Sequence, residues 1–302
     1  MTIRRLAVIG LGLLGGSIGL AVRDRLPGIA TSGWDRDASV RERAAARGLV
    51  DQVCEQAEEA VADADCVILC VPVGAMGEAA RAIAPALKPG AIVSDVGSSK
   101  AAVAEALAAA LPGACVVPAH PVAGTEQSGP EAGFAALFAG RWCILTPPHD
   151  ADPVAVAAVS DFWTALGSRV EIMDAAHHDL VLAVTSHIPH LIAYTIVGTA
   201  SDLEDVTRGE VIKYSAGGFR DFTRIAASDP VMWRDVFLSN REAVLEVLGR
   251  FSEDLTALQR AIRNGDGETL FDLFTRTRAI RRSIIEQGQD DARPDFGREH
   301  GE

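Results

Sequence analysis

The glycine pattern near the N-terminus constrains the fold more than any other feature of this chain. An apolar run at residues 5–9 ends at Gly10, and Gly12 and Gly15 follow in the spacing Gly-x-Gly-x-x-Gly before a segment with helical apolar spacing. This order is typical of a strand, a tight turn and a helix. Gly10 permits the turn, Gly12 lets backbone approach a pyrophosphate, and Gly15 allows the helix to pack closely. The pattern therefore predicts a dinucleotide-binding unit.

An acidic residue stands about 20 residues beyond these glycines, where such a unit holds the adenosine ribose. Asp35 ends a strand-like segment, and its carboxylate would accept hydrogen bonds from ribose hydroxyls but repel a 2'-phosphate. We therefore expect NAD, although Arg36 could pair with the additional phosphate of NADP. Pro72 suits a place under the nicotinamide ribose and equally suits a plain strand end. The expected cofactor-binding residues are Gly10, Gly12, Leu13, Leu14, Gly15, Asp35, Arg36, Val71 and Pro72.

Strand-like and helical segments alternate through the first half of the chain. The strand-like runs lie at residues 31–34, 66–71, 91–95, 114–117 and 142–146. Ala-rich and charged stretches of helical length separate them, at 38–47, 74–87 and 100–111. This alternation predicts a parallel sheet covered by helices on both faces. With the glycine motif, it indicates an α/β fold with a Rossmann-like, doubly wound sheet over residues 1–150.

After residue 150 the pattern becomes helical. Helical periodicity runs through residues 153–166, 175–200, 229–263 and 267–287. We expect an all-helical domain over residues 151–288 and a disordered polar tail at 289–302. Residues 181–200 are apolar on more than one face, so we expect them to be buried in a homodimer core. A membrane span of this length would place two histidines and a proline at its centre, which is costly.

Composition excludes several classes of partner. The formal net charge of −13 repels nucleic acid and anionic membrane surfaces. The N-terminal apolar segment could pass for a signal peptide, but its glycines suit an inserted helix poorly and no cleavage site of small residues follows. The five cysteines lack the paired spacing of a metal site. We therefore expect no metal, reduced cysteines and a cytoplasmic protein.

Three motifs resemble one known family. Residues 95–100 are DVGSSK, residues 120–129 are HPVAGTEQSG, and residues 217–224 are GGFRDFTR. Together they resemble the prephenate/arogenate dehydrogenase family of tyrosine biosynthesis, and the resemblance covers about residues 5–286 in order. The family usually has proline and glycine where this chain has Ser215 and Ala216. That departure affects the stiffness of a loop and leaves the binding residues in place.

The best candidate for a catalytic base is His120. It follows an apolar segment, so we expect it at the C-terminal end of a sheet strand, where open α/β folds bind ligands. An imidazole with a pKa of about 6.5 suits the acceptance of a hydroxyl proton. The resemblance implies that Ser98 hydrogen-bonds near the reacting hydroxyl and His120, although Ser98 also suits a helix N-cap. Lys100 is expected to be a surface lysine outside the catalytic set.

The substrate-binding residues are expected in both halves of the chain. Ser186 and His190 lie four apart, on one face of a helix, and the resemblance implies that His190 lines the substrate pocket. It also implies that Arg224 binds a substrate carboxylate, which a guanidinium grips with two hydrogen bonds. Glu126 could bind an ammonium group or gate the pocket through an ion pair. The full predicted set is Thr125, Glu126, Ser186, His190, Gly217 and Arg224.

The resemblance implies the NAD-dependent oxidative decarboxylation of prephenate to 4-hydroxyphenylpyruvate and CO2. Arogenate, or both substrates, is the first alternative, because the two differ only by an amine in place of a keto group. A β-hydroxyacid dehydrogenase would share the architecture and would use a lysine of the helical domain, where Lys213 is the only one. A non-catalytic NAD-binding sensor would not need His120, Ser98 and Arg224 to converge.

Overall fold

The structure is a computed structural model. It describes residues 3–207 and 210–286, so the predicted tail at 289–302 lies outside the described residues. The chain forms two compact units, Met1–Val247 and Leu248–Glu302. The predicted boundary at residue 150 stays a prediction. The strand Arg169–Ile172 departs from the all-helical structure expected over residues 151–288.

A six-stranded parallel sheet forms the centre of the first unit. Its strands are β1 (Arg5–Ile9), β2 (Ala30–Trp34), β3 (Gln52–Val53), β4 (Cys66–Leu69), β5 (Ile92–Asp95) and β6 (Cys115–Val116). They pair in the order β3-β2-β1-β4-β5-β6, and every pair is parallel. The chain reverses its direction of winding between β1 and β4, which opens a crevice for ligands at the carboxyl ends of the strands. The predicted doubly wound sheet is therefore confirmed.

A helix follows each of the first five strands, and together these helices bury both faces of the sheet. They are α1 (Leu13–Arg25), α2 (Ala38–Arg47), α3 (Ala57–Val61), α4 (Met76–Ile83) and α5 (Ala101–Ala110). Successive side chains of a strand point to opposite faces. On β1, Leu6 and Val8 accordingly enter one apolar cluster, and Ala7 and Ile9 enter the other. All four are fully buried, as the unbroken apolar run of β1 predicts.

A second, three-stranded sheet corrects the prediction in two places. It contains β7 (Ala119–Pro121), β8 (Trp142–Leu145) and β9 (Arg169–Ile172), with α6 (Pro153–Ala165) between β8 and β9. β8 pairs antiparallel with β7 and parallel with β9, so the predicted strand at 142–146 lies outside the main sheet. The run at 114–117 ends at Val116, before Pro118, which has no N–H for a ladder. His120 therefore lies within β7 and not at the end of a main-sheet strand.

The rest of the described chain is helical, as predicted. It comprises α7 (Ala175–Leu182), α8 (Ile188–Thr207), α9 (Glu210–Lys213), α10 (Gly217–Thr223), α11 (Pro230–Ser239), α12 (Arg241–Asn264) and α13 (Gly267–Glu286). A single π-helical turn, Ala183–His187, joins α7 to α8. Such turns occur frequently at functional sites, because the extra residue shifts the side chains that follow. The predicted helix at 229–263 is broken at Asn240, between α11 and α12.

The helical run Ala175–Leu203 is long and apolar enough to cross a membrane by length and composition. In this chain alone it is only partly buried, and Val184, Ile196, Val197 and Leu203 are exposed. The expected burial of this segment is therefore not supplied by the chain itself.

Candidate functional site

The three glycines of the loop differ in whether the fold has room for a side chain at their positions. Gly10 has φ +100°, and an added Cβ would lie 2.6 Å from the Cys70 carbonyl oxygen. A Cβ on Gly15 would lie 1.9 Å from the Gly10 carbonyl oxygen, so α1 can approach β1 only with glycine there. A Cβ on Gly12 would meet nothing within 4 Å. The fold therefore has no steric requirement for glycine at position 12, and the backbone of Gly12 is accessible to a ligand.

The other predicted cofactor residues lie at the same edge of the sheet. Asp35 follows β2, and its Oδ2 accepts a hydrogen bond from the N–H of Leu11 in the glycine loop at 2.9 Å. The N–H of Asp37 donates to Asp35 Oδ1 at 3.0 Å, so the carboxylate is held from both sides. Arg36 is exposed. Leu13 and Leu14 open α1, and Val71 and Pro72 follow β4 beside Gly10.

His120 is buried in contact with a second histidine that the sequence prediction did not include. It is 7% exposed, and its Nδ1 lies 2.8 Å from Nε2 of His178 on α7. The two rings meet edge to face, with their centroids 5.1 Å apart. Burial lowers the pKa of His120 well below 6.5, and the proximity of His178, Lys100 and His187 lowers it further. The His120 imidazole is therefore neutral near neutral pH and available as a proton acceptor.

Asp179 ends a chain of hydrogen bonds that starts at His120. Its Oδ1 accepts from His178 Nδ1 at 2.8 Å and from the N–H of Lys100 at 2.7 Å, and its Oδ2 accepts from the N–H of Ala101 at 3.0 Å. Burial alone would raise the pKa of Asp179, but these hydrogen bonds outweigh it and the pKa is lowered. Asp179 is thus an ionised carboxylate at the first turn of α5. The adjacent letters HHD at 177–179 were the only sequence signal for this group.

The prediction that Lys100 is a surface lysine is wrong. Its side chain is fully buried against that of Asp95, which is also fully buried, and Nζ donates both to the Asp95 carboxylate and to the Ala119 carbonyl oxygen. Asp95 Oδ1 accepts from the N–H of Ala119 at 3.2 Å. Burial lowers the pKa of Lys100, while Asp95 acts in the opposite direction. This ion pair therefore holds both backbone polar groups of the residue that precedes His120.

His187 and Asn240 form a buried polar layer beside Asp179. His187 is fully buried, and burial lowers its pKa to about 4. The backbone of Ser98 acts on this pKa in the opposite direction, which places the predicted serine beside the layer. Asn240 Nδ2 lies 3.0 Å from His187 Nδ1 and donates to the Asp179 carbonyl oxygen at 2.8 Å. Asn240, at the break between α11 and α12, thereby ties α11 to α7.

The predicted substrate residues form two pairs. Arg224 Nη1 contacts Glu126 Oε2 at 2.8 Å, which joins the segment after β7 to the segment after α10. His190 stacks on Trp233 with ring centroids 3.6 Å apart, and its Nδ1 donates to the Ser186 carbonyl oxygen at 2.8 Å. Ser186 therefore contacts His190 through its backbone. Burial lowers the pKa of His190, and the nearby Arg224 lowers it further, so the two pairs lie close enough to interact.

Ring contacts and chain proximity connect these pairs to the surroundings of His120. Trp233, on which His190 stacks, also meets the His187 ring, with centroids 6.0 Å apart. Glu126, which contacts Arg224, follows His120 by six residues. Thr125 and Gly217 are exposed. The arrangement offers a neutral buried base, a half-buried guanidinium and the stacked aromatic pair of His190 and Trp233. Such a site can bind a small carboxylate and remove a proton from it or from an attached hydroxyl.

Two family models match the chain, and together they cover most of it. One describes the nucleotide-binding domain of prephenate dehydrogenase and matches residues 18–172. The other describes the prephenate dehydrogenase dimerization domain and matches residues 174–276.

Individual relatives agree with the family models over nearly the whole chain. A cyclohexadienyl dehydrogenase of Zymomonas mobilis is 45% identical over 281 residues, which is 93% of this chain and 96% of the relative. The crystal structure of a prephenate dehydrogenase from A. aeolicus, in complex with hydroxyphenyl propionate and NAD+, is similar with a TM-score of 0.87 and 32% identity, covering 94% of this chain and 99% of that one. A Synechocystis arogenate dehydrogenase has a TM-score of 0.78 and 28% identity, covering 93% and 99%.

Proposed function

The chain belongs to the prephenate dehydrogenase family, and on that premise we propose that it catalyses the NAD-dependent oxidative decarboxylation of prephenate to 4-hydroxyphenylpyruvate and CO2. The observation that carries the proposal is the buried, neutral imidazole of His120, together with the guanidinium of Arg224, which contacts Glu126 six residues after His120. A base and a carboxylate-binding group are the two functions that this reaction requires of the protein.

The loop at Gly10, Gly12 and Gly15 and the carboxylate of Asp35 would hold the cofactor. The free space at Gly12 and the fixed orientation of Asp35 fit a dinucleotide without a 2'-phosphate, and the similar A. aeolicus structure contains NAD+. NAD bound by these residues would supply the acceptor for the hydride of the ring carbon that bears the hydroxyl.

The protein residues act on the proton and on the carboxylates. His120 accepts the hydroxyl proton at Nε2, because its Nδ1 is engaged by His178. Ser98, whose backbone lies beside His187, takes the role that the family resemblance implies and orients the hydroxyl. Arg224 binds the carboxylate of the side chain, and the ring carboxylate leaves as CO2. Since the ring becomes aromatic in that step, the protein contributes chiefly orientation and charge placement.

Arogenate is the second candidate substrate. Its side chain carries an ammonium group, and Glu126 provides a carboxylate beside the carboxylate-binding Arg224. The relative from Zymomonas mobilis is a cyclohexadienyl dehydrogenase, and the Synechocystis structure is that of an arogenate dehydrogenase. We therefore propose prephenate as the main substrate and include arogenate in the same test.

The other two hypotheses receive less support. A β-hydroxyacid dehydrogenase would need a lysine at the reacting centre, whereas Lys213 is exposed and its Nζ lies 5.2 Å from the ring centroid of its neighbour Tyr214. A non-catalytic sensor would have no need for the buried hydrogen bonds of His120. Neither hypothesis accounts for the pairing of Arg224 with Glu126.

A homodimer through the helical segments is part of the proposal. The matched dimerization domain spans residues 174–276, and large apolar side chains on its helices are exposed in the single chain. They include Ile196 and Val197 on α8, Leu255 and Ile262 on α12, and Phe271 and Phe274 on α13. Large apolar side chains exposed on each unit support association with a second copy of the chain. A cytoplasmic location is also proposed, in keeping with five free cysteines.

The proposed function is tested by assaying prephenate and arogenate, each with NAD and with NADP, and measuring both the reduced nicotinamide and the CO2 formed. We expect the highest kcat/KM for prephenate with NAD. His120→Asn should lower kcat by about 10²–10⁴-fold with little change in KM. Failure of the purified protein to oxidise either substrate would refute the proposal, and wild-type turnover in His120→Asn would remove His120 from the mechanism.

A further inference from the structure

We propose that His178 and Asp179 are positioning residues that fix the tautomer of His120, so that its Nε2 carries no hydrogen and faces the substrate as an acceptor. The inference deepens the proposed function and rests on the role of His120 as the base. It depends on three consecutive hydrogen-bonding side chains, Asp179, His178 and His120, which we call the relay. β7 and α7 bring them together, although His120 and His178 are 58 residues apart in the chain.

Asp179 sets the direction of hydrogen-bond donation along the three side chains. Its carboxylate oxygens accept from the backbone N–H groups of Lys100 and Ala101, which can only donate. An ionised carboxylate can only accept. The remaining contact, with His178 Nδ1 at 2.8 Å, therefore requires that His178 carry its hydrogen on Nδ1.

The tautomer of His178 then determines the tautomer of His120. The side chain of His178 is fully buried, and burial lowers its pKa, so the ring is neutral and holds one hydrogen only. With that hydrogen on Nδ1, Nε2 presents a lone pair to His120 Nδ1 at 2.8 Å. His120 must then donate from Nδ1, because two lone pairs facing each other at that distance would repel. A neutral His120 with Nδ1–H has a bare Nε2.

The surrounding fold holds the relay in place. The Asp174 side chain accepts from the N–H of His177 at 2.8 Å and so caps α7 one turn before the relay. Asn240 donates to the Asp179 carbonyl oxygen. His177, the residue next to His178, is exposed and thus lies outside the relay. A histidine of the same helix therefore provides a matched control.

The relay also has a consequence during turnover. When His120 takes up the substrate proton it becomes an imidazolium in a buried site that already contains the Lys100 ammonium. Asp95 pairs with Lys100, and Asp179 supplies the negative charge that the imidazolium needs, through the His178 bridge. No proton has to leave His120 for this stabilisation to operate.

The tautomer can be measured without substrate or cofactor. Protein labelled with 15N-histidine reports, by NMR, which ring nitrogen of each histidine carries hydrogen, and the spectrum of His120→Asn identifies the signals of His120. In wild-type protein we expect His120 to carry its hydrogen on Nδ1. In His178→Phe, which removes the acceptor, we expect the Nε2–H form to appear and kcat to fall by about 10²-fold with KM unchanged.

Two further variants separate positioning from general structural damage. In His178→Gln the side-chain amide carbonyl can replace Nε2 as the acceptor, so it should restore the Nδ1–H tautomer and much of the lost turnover. His177→Gln should match wild-type protein in both measurements. If His178→Phe does not fold, the wild-type spectrum and the His178→Gln variant still test whether His178 fixes the tautomer of His120.

Three results would overturn the inference. The first is a wild-type His120 that carries its hydrogen on Nε2. The second is an unchanged His120 tautomer in His178→Phe, whatever its turnover, because a fall in kcat would then come from a merely structural role. The third is a His178→Gln variant that folds but retains neither the tautomer nor the turnover. Absence of prephenate oxidation by wild-type protein would instead refute the proposed function and leave the tautomer measurement valid.

Discussion

Replacement of Lys100 by methionine is expected to destabilise the first unit severely. The substitution keeps a long apolar side chain but removes the ammonium that pairs with the fully buried Asp95 carboxylate. Asp95 would retain only the N–H groups of Gly97 and Ala119 as hydrogen-bond donors, at 2.7 and 3.2 Å. The Ala119 carbonyl oxygen would lose the Nζ donor that now lies 2.7 Å away.

The size of the effect follows from the complete burial of both partners. Removing one member of a buried ion pair costs about 3–5 kcal/mol, because the remaining charge is left uncompensated. A folded domain has a free energy of unfolding of about 5–15 kcal/mol, so this loss is a large fraction of the total. For a unit of this size it corresponds to a Tm lower by roughly 6–20 °C.

Thermal unfolding followed by tryptophan fluorescence measures this effect in the correct unit, because Trp34, Trp142, Trp163 and Trp233 all lie before residue 248. Lys88→Met is the matched control. Lys88 pairs with Asp65 near the surface, with the lysine side chain 38% exposed. An exposed pair contributes about 0–1 kcal/mol, so the control should lose at most about 4 °C in Tm.

A double variant distinguishes loss of charge compensation from loss of packing. Lys100→Met combined with Asp95→Asn leaves neither charge of this pair in the core, and the new amide side chain retains an oxygen that can accept a backbone N–H. We expect the double variant to be more stable than Lys100→Met alone. The reasoning fails if Lys100→Met melts within the range of the Lys88→Met control, or if the second substitution adds to the damage.

The remaining predictions concern the cofactor loop, the buried histidine and the substrate arginine. Gly12→Ala should have the Tm of wild-type protein but bind NAD more weakly by calorimetry. Gly15→Ala should have a lower Tm, because its Cβ would lie 1.9 Å from the Gly10 carbonyl oxygen. Equal stability of the two variants would contradict this. The pKa of His187 falls from 6.5 to about 4 on folding, so its contribution is complete above pH 6.5 and roughly 3 kcal/mol is lost as pH falls to 4. His187→Phe should reduce the slope with which the free energy of unfolding, measured in urea, falls with pH across that range, and an unchanged slope would refute the assignment. Arg224→Ala should raise KM for prephenate with little change in kcat; an unchanged KM would exclude it from substrate binding.

The sequence alone was sufficient for most of the longer elements of the first half of the chain and for the glycine loop. These features depend on local physics, since the period of apolar residues separates strand from helix and a glycine is needed where φ is positive or a Cβ has no space. Gly10 and Gly15 occupy such positions, and five of the six parallel strands coincide with predicted runs, whereas the two-residue strand β3 was not predicted. The small second sheet was missed because its strands β7 and β9 contain only three and four residues.

Only the tertiary structure decided what surrounds His120. Lys100 lies in the first turn of a helix, where a lysine is ordinarily solvated, and its burial depends on the approach of β7 and α7 from elsewhere in the chain. Asp179 contacts the backbone of Lys100 across 79 residues of sequence. Periodicity describes which face of one element is apolar, but it contains no information about which polar groups meet when two elements pack. The charge states and tautomers of the buried histidines follow from that meeting, and so could not be predicted from their own neighbours in the sequence.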